Sequence, residues 1–184
     1  MKTAVVFFAD GMEECEGLLV VDLLRRAGVN VITASVMGRK EIVSSHQVRL
    51  IADACAEEVD YDTADMIVLP GGMPGTAILG ESEVVRTQCT VFAKNRLLAA
   101  ICAAPSVPAS LGLLEGMPAT CHPAFEEKMR GAHLTGAGVT VAGNIITGRG
   151  LGAAIPFALK LAEILVDKET ADRIAAAICF AEQG

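Results

Sequence analysis

The chain has 184 residues, 52% of them hydrophobic and 20% charged, and a formal net charge of −7 at pH 7. That length and apolar content suit one domain around a single core and argue against disorder. The acidic balance, with no basic run longer than Arg25-Arg26, excludes a nucleic-acid partner, and Asp10, Glu13, Glu14 and Glu16 follow the opening apolar run too soon for a signal peptide, so a cytoplasmic protein with no membrane partner is expected.

The β-branched run Thr3 to Phe8 predicts a first strand. An amphipathic stretch carrying Leu18, Leu19, Val21, Leu23 and Leu24 and ending at Ala27-Gly28 predicts a helix, and Val29 to Ser35 a second strand. A less regular region around Val43 to Ile51 leads to an apolar strand, Met66 to Leu69, closed by Pro70-Gly71-Gly72. A helical pattern then runs from Ser82 to Lys94. After the strand that ends at Cys102 come a short strand at Ala119 to Cys121, a hairpin of Val139 to Ala142 with Ile145 to Thr147, and two helices at about 152–166 and 168–180. Strands alternating with helices specify an α/β fold: a flavodoxin-like three-layer sandwich, its sheet mostly parallel, with an added β-hairpin, spanning 1–184 as one domain.

The run Leu97 to Ser106, LLAAICAAPS, passes from a buried strand into Ala and Pro at Cys102, and predicts a nucleophile elbow with a helix starting two or three residues on. A thiol there sits where open α/β sheets bind ligands, and a helix dipole facing it would lower its pKa. The six cysteines contain no C-x-x-C pair, and Cys121-His122 lacks a second ligand pair, so neither a disulfide framework nor a metal site is predicted. Gly148 to Ala153 satisfies G-x-G-x-x-A, but no further strand follows it, so these glycines are read as a tight turn beside the pocket and not as a dinucleotide fingerprint.

A cysteine nucleophile needs a group to hold its proton. The acidic loop Asp10 to Glu16 follows the first strand and emerges at the same sheet edge as Cys102. Carboxylate and thiolate cannot both be charged cheaply, so one of the two keeps a proton, and a neutral carboxyl would donate to sulfur. Leu69 to Gly75 follows another strand at that edge and offers backbone N–H groups to an oxyanion. His122 is a further candidate; His46 and His133 have weaker cases.

Asp10 to Glu16, Leu69 to Gly72, Ala99 to Pro105, His122-Pro123 and Thr147 to Gly150 stand in an order and spacing that resemble the ThiJ/PfpI superfamily, most closely its DJ-one branch of parkinsonism-associated deglycases. The resemblance covers essentially the whole chain. It implies that Cys102 is the reactive cysteine, Glu16 the glutamate whose protonated carboxyl bonds to it, and His122 the pocket histidine. It also implies that Gly72 and Ala103 turn amides toward the substrate oxygen, with Gly71 and Arg149 in the same binding region. Homodimers are typical of the branch. Two departures stand out: Ala104 replaces a frequent glycine, and His46 stands where the branch carries an anion-stabilising arginine, so that His46 is the candidate for a residue contributed across a dimer.

The resemblance implies a cofactor-independent enzyme that converts methylglyoxal or glyoxal to hydroxyacids or deglycates early glycation adducts, with a small aldehyde or glycated compound as substrate. The alternatives are an oxidative-stress sensor or redox-regulated chaperone, in which Cys102 is oxidised to sulfinic acid, and a cysteine amidase or protease.

Overall fold

The computed structural model describes residues 1–180; residues 181–184 of the single domain expected over 1–184 lie outside the described region. In chain order the main elements are β1 (Thr3–Phe8), α1 (Glu14–Arg26), β2 (Asn30–Ser35), β3 (Glu41–Val43), β4 (Arg49–Ile51), β5 (Ala54–Cys55), β6 (Met66–Leu69), α2 (Gly75–Glu81), α3 (Glu83–Asn95) and β7 (Leu97–Ile101). There follow α4 (Ser106–Ser110), β8 (Pro118–Ala119), β9 (His133–Leu134), β10 (Val139–Ala142), β11 (Ile145–Gly148), α5 (Ala154–Leu165) and α6 (Lys168–Ala177).

Among the described residues the main sheet has the order β10-β11-β7-β6-β1-β2-β5. Every pairing in it is parallel except β10 with β11, which form the expected hairpin around Gly143 (φ +59°). All six residues of β1 are buried, as a central strand covered on both faces requires. Its side chains alternate between two cores: Val6 and Phe8 face α1 and α5 with Leu24 and Phe157, while Val5 and Phe7 join Ile67, Val85 and Phe92 beneath α2 and α3. The result is the flavodoxin-like sandwich that the alternation of elements predicts.

From β1 the chain moves to β2 on one side and returns through β6 on the other. The carboxyl ends of β1, β6 and β7 therefore border the point where the winding reverses, which is where an open α/β sheet leaves a crevice. Three loops meet there, at residues 9–13, 70–74 and 102–105. Gly148 follows the packing reading of the glycine run: a Cβ on it would come within 2.8 Å of the Ile101 side chain and 3.0 Å of Phe157. The segment 43–51 is more regular than its sequence suggests, with β3 and β4 forming an antiparallel pair that leaves Ile51 74% exposed. Among the described residues no helix is long and apolar enough to cross a membrane.

Candidate active site

Cys102 follows β7 with φ +65°, a left-handed conformation that costs a side-chain-bearing residue about 1–2 kcal/mol. Its N–H donates to Gly148 O (2.9 Å) and its carbonyl accepts from His122 N (2.9 Å), so two neighbouring segments hold the turn in place. The nucleophile elbow is present. The helix after it differs from expectation: residues 102–105 form a turn, and α4 begins only at Ser106 and lasts five residues. Pro105 sits at the N-cap with no N–H to give, and so short a helix carries little dipole toward the sulfur.

The acidic loop divides its labour. Glu13 is the N-cap of α1, its Oε2 accepting from Glu16 N at 2.7 Å. Glu14 turns to His46, with Oε1 3.0 Å from Nδ1, and Glu16 is wholly buried beside Cys102. Glu16 Oε2 accepts from Gly71 N at 2.9 Å, whereas Oε1 is buried without a partner. Gly71 is thus the residue that positions the acid. Its N–H is taken by Glu16 and its carbonyl by Glu13 N, which corrects the expectation that it faces substrate. A Cβ on Gly71 would lie 2.6 Å from both Cys102 Cβ and Glu16 Oε2, so only glycine lets these three groups converge. The amides of Ala103 and Gly72 do reach the Cys102 sulfur.

Burial raises the Glu16 carboxyl to about 7 against the pull of its bonds to Cys102 and Gly71, with the charge on Glu13 adding to the rise. Burial also pushes Cys102 up, to about 12; ionised Glu16 adds to that rise, and the amides of Ala103 and Gly72 oppose it. The lowered thiol pKa expected from a helix dipole is therefore not what surrounds this sulfur. The two groups titrate as one dyad: its first proton leaves near 7, the second only near 12, and between them the pair holds a single proton. When that proton is on Glu16, both of its unfavourable effects on the thiolate reverse. The charge is gone, and the carboxyl gains an O–H that can be donated to the sulfur beside it.

The dyad opens into a cavity of about 530 Å³, lined also by Glu13, His122, Pro123, Gly138, Arg149 and the turn 150–153. His122 is exposed, and its Nδ1 accepts from Ala124 N at 3.2 Å, which fixes the ring at the cavity wall. A Cβ on Gly150 would lie 3.6 Å from His122 Cδ2 and 4.0 Å from the Cys102 sulfur, so the glycine keeps the approach to the thiol open. His46 is not among the lining residues of its own chain: it is 69% exposed and pairs with Glu14 and, at 3.9 Å, with Glu13. His133 is likewise absent from the cavity. The ligand atoms of Glu13, Glu14 and His46 come within 4.8 Å of one another, both carboxylates approaching His46 Nδ1. Glu13 was legible as part of the site from its position three residues before Glu16, the spacing of an N-cap from the amide it holds. A larger cleft, about 660 Å³, lies on the far side of α4 between Met73, Thr76, Val107 and Phe125.

The arrangement combines a thiol on a strained elbow, a buried acid and two amides at the crevice of an open sheet. A family model for the DJ-1/PfpI family matches residues 2–164. The chain belongs to the DJ-1/PfpI family. Within that family it is 37% identical to protein dj-1beta of Drosophila melanogaster, over 98% of both chains. It is 30% identical to a protein of Caenorhabditis elegans named a glutathione-independent glyoxalase, again over 98% of both. Among solved structures, oxidised DJ-1 of Toxoplasma gondii superposes with a TM-score of 0.94 at 36% identity, covering 98% of this chain and 100% of that one. In this member of the DJ-1/PfpI family the resemblance read from the motifs thus extends to the whole fold.

Proposed function

We propose that the chain is a cysteine enzyme of the glyoxalase kind, converting 2-oxoaldehydes such as methylglyoxal and glyoxal to 2-hydroxyacids. The observation that carries this reading is the wholly buried Glu16, with a raised pKa, sharing one proton with a cysteine that two backbone amides also face. The glyoxalase name of the Caenorhabditis elegans relative supports it.

With the dyad proton on Glu16, the Cys102 thiolate adds to the aldehyde carbon. The C–S bond forms as the C=O π pair moves to oxygen, and the alkoxide takes the Glu16 proton while the Ala103 and Gly72 amides stabilise it. Glu16, now a carboxylate with a pKa near 7, removes that carbon's hydrogen as a proton to give an enediol intermediate and returns it to the neighbouring carbonyl carbon, while the hydroxyl proton on the first oxygen passes to the second. The former aldehyde carbon is oxidised to a thioester and the former ketone carbon reduced to an alcohol, so no external oxidant or reductant enters. Water then cleaves the thioester, releasing the hydroxyacid and restoring Cys102. His122, at the cavity wall, would assist the water, and Arg149 lines the same cavity. Addition to an early glycation adduct would begin with the same thiolate attack, which extends the proposal to deglycation.

The same surroundings favour a second reading, oxidation of Cys102 to sulfinic acid as a sensing event, since the two amides and the Glu16 O–H would all donate to the added oxygens. A homodimer is proposed from the exposed apolar groups Leu18 (39%), Val48 (41%) and Ile51 (74%). Val20 and Leu23 of α1 are buried in the chain's own core and take no part in such a contact. Whether His46 serves a second subunit's pocket belongs to the same proposal. Product analysis after incubating wild type and Cys102→Ala with methylglyoxal tests the enzymatic reading: wild type should yield lactate and the variant none. Absence of lactate from the wild-type reaction would overturn it.

A further inference from the structure

Among the described residues Arg149 is the one arginine or lysine lining the Cys102 cavity, whose acidic side chains are Glu13 and Glu16. Its guanidinium has a competing partner. Nη1 lies 3.8 Å from Oε1 of Glu126, which stands on the 3-10 turn Pro123–Lys128 that follows His122. Both side chains are partly exposed, at 35% and 41%, so the pair is weak and can be exchanged. The two charges are felt in this wall: at Cys121, next to His122, burial pushes the thiol up to about 11, Glu126 adds to the rise, and Arg149 opposes it less strongly.

We infer that Glu126 determines the charge specificity of the site, holding Arg149 so that the cavity admits neutral carbonyl compounds and gives up carboxylates. With Arg149 paired, the cavity mouth has no net positive charge to hold an anion, while Glu13 remains as a negative one. The inference rests on the proposed reaction for its purpose: a neutral 2-oxoaldehyde enters and a hydroxyacid anion must leave. A counter-ion competing for Arg149 weakens product binding and thereby favours turnover when release limits the rate. Glu126 touches neither the substrate nor the thiol; it acts through Arg149.

The test uses the whole chain and does not require turnover. Iodoacetamide alkylation of Cys102 is followed by mass spectrometry in rising concentrations of glycolate, with glycolamide as the neutral isostere. In Glu126→Gln the glycolate concentration that halves the alkylation rate should fall about fivefold, the effect of releasing an exposed pair worth up to about 1 kcal/mol, while glycolamide behaves as in wild type. In the double variant Glu126→Gln/Arg149→Gln the gain should vanish. Equal glycolate protection in wild type and Glu126→Gln would overturn the inference, as would a gain that survives loss of Arg149 or that glycolamide shares. If wild type forms no hydroxyacid but the protection pattern holds, the proposed reaction fails and the anion-specificity role of Glu126 stands.

Discussion

Glu16→Gln removes the dyad's acid while keeping its size and its capacity to accept from Gly71 N. In the folded chain burial raises the Glu16 carboxyl from 4.5 to about 7, equivalent to about 3 kcal/mol. Between pH 4.5 and 7 the folded protein therefore binds more protons than the unfolded chain, and stability falls as pH rises across that window. The sign does not depend on which member of the dyad loses the proton near 7, because linkage counts protons and not their addresses. Glutamine has no proton to lose. Urea unfolding of both proteins at pH 4.5 and pH 7.5 should show the variant gaining on wild type by about 3 kcal/mol between the two conditions, with other carboxylates cancelling in the difference. In the same preparation hydroxyacid formation should drop by about 10²–10⁴-fold, the usual effect of deleting a positioned acid or base. A stability difference that stays constant with pH would refute the buried, shared proton; undiminished hydroxyacid formation would refute the role given to Glu16.

The kcat/KM of wild type should rise as pH passes through about 7, where the dyad goes from two protons to one, and Glu16→Gln should lack that limb in a stopped-time product assay. Gly71→Ala places a Cβ 2.6 Å from Cys102 Cβ and Glu16 Oε2, and is expected to cost about 1–3 kcal/mol of stability and at least tenfold in activity, read by thermal unfolding and initial rates. A dimer mass in light scattering at micromolar concentration is expected for wild type and a monomer mass for Ile51→Glu, since Ile51 is the most exposed of the three apolar groups assigned to the contact.

The central strands were legible because their residues are apolar on both faces and end in turn chemistry: Met66 to Leu69 has in the structure the bounds its sequence predicts and is closed by Pro70-Gly71. Cys102 was legible for a related reason, lying just past a strand of a parallel sheet whose topology brings the acidic loop to the same edge, whereas the choice of Glu16 within that loop came from the family resemblance. What the pattern did not contain was competition between neighbours. Three glutamates within four positions look alike in sequence, yet one caps the helix, one pairs with His46 and one is buried against the thiol. The short α4 was hidden by Ala103 and Ala104, which are good helix formers held instead in a turn by the strained Cys102 and by Pro105.

That turn bears on how the site controls its sulfur. A long helix aimed at Cys102 would supply a fixed bias toward thiolate at every pH and at every stage of reaction. Here the stabilisation falls to two amides and to a carboxyl that carries the proton only part of the time, so the reactivity of Cys102 depends on the state of Glu16. The dependence suits a reaction that needs a thiolate at the first step and a carboxylate base at the second: the proton that leaves Glu16 for the alkoxide is the event that converts one into the other. Burial that would be a liability for an isolated acid thereby sets its pKa near the pH at which it must both give and take.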